Sequence, residues 1–204
     1  ALQYYKTAEK KKGTQLDILY FNLGELYSDY FQDKDSAIYY YKRSVEEDPN
    51  LVDGYIQMSD CYLSLNKWED AIRYYKKALN LGANISGVFN NLGYSYMELQ
   101  DYDKAIEYYQ KAIKLDKLDP SPLNNIGLCY YLKGNSTLAL EILEKSSKKF
   151  ERNAWCYRNI SIIYMGMNNK ELTCLNLVNA IENGFLKKWN KEYLIEVIEY
   201  CENQ

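Results

Sequence analysis

The chain has 204 residues, 26% of them charged, with a net charge of −3 and no histidine. That weak acidity disfavours nucleic acid, which calls for a basic stripe, and an anionic membrane surface; the missing histidine removes the commonest acid/base group and metal ligand. No apolar run approaches the roughly 20 residues of a spanning helix, and no signal-peptide pattern opens the chain.

In chain order, Ala1, Tyr4, Tyr5 and Ala8 suggest the second helix of a truncated repeat over residues 1–13. The opening on Ala1 rather than Met points to a fragment or a processed product. From Tyr20 onward one pattern recurs. Ala37, Ala71, Ala105, Ala139 and Thr173 stand 34 residues apart, and Tyr62, Tyr96, Tyr130 and Tyr164 keep the same interval, with Tyr27 one residue further back. A fixed period of that length marks a stacked repeat. Within residues 86–119, Phe89, Leu92, Gly93 and Tyr96 trace one face of a helix, Asp101 supplies an N-cap, and Ala105, Tyr108, Tyr109 and Ala112 trace a second helix. Each repeat therefore reads as two antiparallel helices with small residues at their contact. The repeats run 17–51, 52–85, 86–119, 120–153 and 154–187. The first carries an extra residue within Asp29–Asp35, read as a slack turn, because short insertions there cost little. Asn183-Gly184 ends a helix. Trp189, Tyr193, Leu194, Val197, Ile198 and Cys201 then form an amphipathic capping helix over 188–204.

The five cysteines, Cys61, Cys129, Cys156, Cys174 and Cys201, form no CxxC pair. They read as small core residues of a reducing compartment, and hence of a cytoplasmic protein, with a trimmed exported protein as the alternative. No metal-ligand cluster, phosphate-cradling loop or nucleophile–base constellation stands out. The expectation is a protein without cofactor, metal or enzymatic activity.

Tyr20, Leu23, Gly24, Tyr27, Ala37, Tyr41, Ser44 and Pro49 carry a pattern that resembles the tetratricopeptide repeat. Later repeats keep most of it and lose the proline, with Ala83, Lys117, Glu151 and Phe185 in its place. The resemblance implies an all-α fold, a right-handed α-solenoid (superhelix) of antiparallel helix pairs. It also implies a concave groove lined by the first helix of each repeat. There the residues before the repeat Leu, Met or Ile read Asn22, Gln57, Asn91, Asn125 and Asn159, a ladder of carboxamides similar to that of the O-linked N-acetylglucosamine transferase superhelix. A carboxamide offers both a donor and an acceptor, so it can match peptide backbone. Glu25, Asp60, Tyr94, Met97, Asn124, Leu128, Tyr131, Arg158, Ile162 and Met165 complete the expected groove.

One end is thus acidic and the other apolar, with Arg158 as its lone cation. The partner expected is another protein, held as an extended peptide or helix that is basic at one end and apolar at the other. No nucleic acid or membrane is expected. The alternative is a self-associating solenoid that spaces domains in an assembly. Phe21, Ile56, Asn90 and Asn124 stand where the family's chaperone-binding clamp has lysines, so binding of acidic chaperone tails is not expected.

Overall fold

The computed structural model describes residues 15–185 and 194–202. The described residues contain eleven helices and no strand. They are α1 Leu16–Glu25, α2 Lys34–Glu47, α3 Val52–Ser64, α4 Trp68–Asn80, α5 Ser86–Glu98, α6 Tyr102–Leu115, α7 Ser121–Leu132, α8 Ser136–Lys149, α9 Ala154–Gly166, α10 Lys170–Glu182 and α11 Ile195–Glu202. The fold is an all-α solenoid. The suggested helix over 1–13, together with Trp189 and Tyr193, lies outside the described residues.

The chain divides into two compact units, Ala1–Gln100 and Asp101–Gln204. In the first, α1 packs on α2, α2 on α3, α3 on α4 and α4 on α5, and the faces of α3 and α5 also meet. In the second, the same succession runs from α6 to α10; α7 meets α9, and α11 lies against α9 and α10. Within each unit a helix is thus covered by its neighbours in sequence. This is how a repeat too small to bury its own apolar face becomes stable.

The 34-residue register is the core. Ala37, Ala71, Ala105 and Ala139 are wholly buried, and so are Ala78, Ala112, Ser44 and Ser146. The bulky residues of the second helices, Tyr41, Tyr75, Tyr109 and Leu143, are buried beside them. Close approach explains the glycines in mid-helix. A Cβ on Gly24 would stand 2.5 Å from the Tyr41 ring, and one on Gly127 would stand 2.7 Å from Leu143. The backbone therefore takes the space that a methyl group would fill, which offsets the cost of glycine in a helix.

The turns between paired helices also repeat. The residue that precedes the cap takes positive φ at Gln32, Asn66, Gln100 and Asn168, and at Gly134. The next residue then caps the second helix. Asp33 accepts from the Ser36 N–H at 3.1 Å, Asp101 from Lys104 at 3.2 Å, Asn135 from Leu138 at 3.1 Å and Asn169 from Leu172 at 3.1 Å. Each cap satisfies a backbone donor that the helix start leaves unpaired. Only α4 lacks a side-chain cap among these, because Lys67 stands at its start.

Two expectations are corrected. The extra residue of the first repeat is not slack in the loop. It is absorbed by a π-helical turn, Leu26–Tyr30, that continues α1, with the Phe31 N–H donating to the Leu26 carbonyl at 3.2 Å. A one-residue insertion in a helix is held as such a turn because the hydrogen-bond ladder stays closed on both sides. The cysteines, in turn, are not all free core residues. Cys174 on α10 and Cys201 on α11 form a disulfide across a separation of 27 residues, with Cα atoms 5.8 Å apart. Packing of the terminal helix brings them together, which no local spacing announces. Cys61, Cys129 and Cys156 are free and buried. A disulfide belongs with an oxidising compartment, so the cysteines do not support a cytoplasmic location. No helix among the described residues is long and apolar enough to cross a membrane.

Candidate functional site

The first-unit surface is built on α1, α3 and α5. Asn22 and Gln57 are half-buried on α1 and α3, and no hydrogen bond engages either carboxamide. Glu25 is exposed at the end of α1. Asp60 on α3 is half-buried and is not the free acidic wall that its position suggested. Its Oδ1 accepts from the Tyr75 hydroxyl on α4 and from Asn91 Nδ2 on α5 at 3.1 Å. Asn91 Nδ2 also lies 3.0 Å from the Tyr75 hydroxyl. Burial holds the Asp60 carboxyl above the ordinary carboxylate range, opposed by the Tyr75 and Asn91 donors and by the more distant charge of Lys34. Burial and the neighbouring carboxylate push the Tyr75 phenol up.

Lys34 follows from the π-turn. That turn buries Ser28, and the Lys34 ammonium donates to the Ser28 carbonyl at 3.0 Å and to its hydroxyl at 2.9 Å. Tyr94, at the same register position on α5, stands edge-on to Trp68 with ring centres 5.7 Å apart. Tyr75 and Lys34 were not among the expected site residues, whereas Ser28 stands at a register position expected to face the groove. The signals for Tyr75 and Lys34 were present, as a buried repeat tyrosine and a one-residue break of period, yet each has a plain packing explanation in sequence.

Several expected groove residues are placed elsewhere. Met97 is only 6% exposed and Asn159 only 2%, so neither presents its side chain to a ligand. Asn124 is 3% exposed and belongs to a closed polar network. It donates to Asn153 at 2.8 Å and accepts from Ser146 at 2.7 Å, while Asn153 also donates to Ser146 at 3.0 Å. Arg158 is not a lone anchor. It donates to Asn159 at 3.1 Å and lies over the Trp155 ring at 5.4 Å. Ile162 and Met165 pack against the cluster of Leu177, Phe185, Leu194 and Val197 that α11 completes. Tyr131 packs against Leu143, Cys156 and Ile163. Asn125 and Leu128 remain half-buried on α7.

Among the described residues no group of three His, Cys, Asp or Glu side chains could hold a metal ion. Burial pushes the thiols of Cys129 and Cys156 up to about 12 and raises that of Cys61, so all three stay protonated.

Three sequence profiles of the tetratricopeptide repeat match residues 18–51, 52–84 and 87–117. The comparison with curated proteins found no match to this chain. Among solved structures, MamA is 25% identical, covering 81% of this chain and 96% of that one at a TM-score of 0.69. YrrB, described as a tetratricopeptide repeat protein with an unusual peptide-binding site, is 20% identical over 96% and 97% of the two chains at 0.68. PilW, a type IV pilus biogenesis factor, is 16% identical over 93% and 87% at 0.74. The latter two likenesses speak for the fold alone. The stacked helix pairs, the buried small-residue register and the three matched segments agree: this chain belongs to the tetratricopeptide repeat family, whose repeats serve as protein-interaction modules.

Proposed function

We propose that the chain is a non-catalytic module that holds an extended segment of a partner protein on the face formed by α1, α3 and α5. The observation that carries this reading is the state of Asn22 and Gln57. Their carboxamides are half-buried, yet each keeps its donors and its acceptor unengaged. A half-buried amide loses part of its hydration and regains it only by bonding. An extended peptide backbone supplies both complementary groups. The peptide-binding site described for YrrB, a protein of the same fold, is consistent with this use.

The test is selection of linear peptides from a displayed random library, followed by titration. Selected peptides should bind in the micromolar range. Asn22→Ala and Gln57→Ala should each weaken them by about fivefold, the worth of roughly 1 kcal/mol per hydrogen bond. The helical circular dichroism should not change. Peptides that bind both variants as tightly as the parent would place the ligand elsewhere.

A further inference from the structure

We infer that Asp60 is the specificity anchor of this surface, and that it takes a cationic side chain, lysine or arginine, of the partner peptide. The inference rests on the peptide-binding reading and adds the chemistry that selects the peptide.

Its ground is the unequal use of the two carboxylate oxygens. Oδ1 is fixed by the Tyr75 hydroxyl and the Asn91 amide, so α3, α4 and α5 each contribute one side chain to hold the group. Oδ2 accepts no hydrogen bond. No fully buried side-chain oxygen or nitrogen among the described residues is left without a partner, so Oδ2 keeps some contact with solvent. The half-buried carboxylate is therefore oriented by neutral donors, with one oxygen that accepts no hydrogen bond and keeps contact with solvent. A half-buried charge is ordinarily matched by an opposite one. Here the nearby cation is engaged elsewhere, since the π-turn offers Ser28 to Lys34 and the ammonium is bound there.

Lys34 thus reaches Asp60 only through space. Glu25 and Asp29, both exposed, add negative charge to the same unit. The corresponding register positions in later repeats are Tyr94, Leu128 and Ile162; the first repeat has Glu25 there, an exposed carboxylate, so a half-buried carboxylate held by donors from two further helices occurs in this register at Asp60. An ammonium or guanidinium arriving at Oδ2 would form a charge-assisted hydrogen bond with an acceptor that needs no reorganisation.

The test pans the displayed random library against the parent protein and, in parallel, against Asp60→Asn. That change keeps an acceptor for Tyr75 and Asn91 and removes only the charge. Peptides taken by the parent should share a lysine or arginine at one position. Replacing it with glutamine should weaken binding by about tenfold or more. Asp60→Asn should show the same loss for the original peptide and no further loss on the glutamine change, the mark of a direct pair in a double-mutant cycle. Melting temperature and circular dichroism verify that the variant is folded. Peptides without a shared basic position, or a basic position whose worth survives in Asp60→Asn, would overturn the inference and leave the groove reading standing. Failure to select any peptide would overturn both.

Discussion

Asp60 shows how far a single residue departs from what its register implies. Counting along α3 assigns it to the expected groove face. The count does not reveal that Tyr75, one helix on, directs its hydroxyl to the same carboxylate. The consequence for stability has a definite sign. Burial raises the Asp60 carboxyl above its ordinary range, so the folded state binds this proton more tightly than the unfolded chain does. The contribution of Asp60 to stability therefore falls as pH rises from the ordinary carboxylate value through the raised one, and the penalty is complete above it. Asp60→Asn carries no such penalty. It should melt at a higher temperature than the parent near neutral pH, with the difference closing below about pH 4, where the carboxylate is protonated in both states. Thermal melts at several pH values check this. A variant that is less stable at neutral pH would show that the carboxylate is there for the fold. Asn124 and Asn159 departed from expectation for a related reason. A face spans about 100°, and a residue on its edge turns into the helix contact when a neighbour offers partners, as Ser146 and Asn153 do for Asn124.

At the scale of elements, the helices and their starts were readable because the signals are local. Asp101 was recognisable as a cap, and it does accept from the Lys104 N–H. The paired pattern of a positive-φ residue followed by a capping side chain was less visible. Gln32, Asn66, Gln100, Gly134 and Asn168 share a conformation without sharing a residue type. Only Gly134 adopts it without steric cost. The turn from α7 to α8 concentrates both devices. Asn135→Ala should cost about 1 kcal/mol by leaving the Leu138 N–H without its acceptor. Gly134→Ala should cost about the same by forcing an alanine to φ 83°. Urea denaturation of each variant measures these losses, and an unchanged midpoint would mean that the turn carries no part of the stability. The π-turn escaped the sequence because an insertion can be absorbed in a loop or in a helix, and the composition of Asp29–Asp35 suits a loop. Packing decides, since Ser28 is buried and bonded to Lys34 only if the extra residue is taken up before it.

For the molecule as a whole, the repeat period was legible because each contact recurs between like neighbours. What occurs once was not: the disulfide joins α10 and α11, the last two helices of the described residues. Its effect should stay local, because a stack of repeats is held by nearest-neighbour contacts and opens in local units. Closing a loop of 27 residues is worth about 3 to 4 kcal/mol in the chain-entropy account. A dithiol reductant should therefore make exactly two cysteines open to alkylation in the folded protein, Cys174 and Cys201, since Cys61, Cys129 and Cys156 are buried and protonated. Hydrogen exchange followed by mass spectrometry should then show faster exchange in α9, α10 and α11 and no change in α1 to α4. The apolar residues Ile162 and Met165, now packed with the α11 cluster, would gain solvent in the same step. Uniform acceleration along the chain would mean that the bond stabilises the array globally, and no acceleration would mean that the packing of Leu194 and Val197 alone suffices to keep the last helix in place.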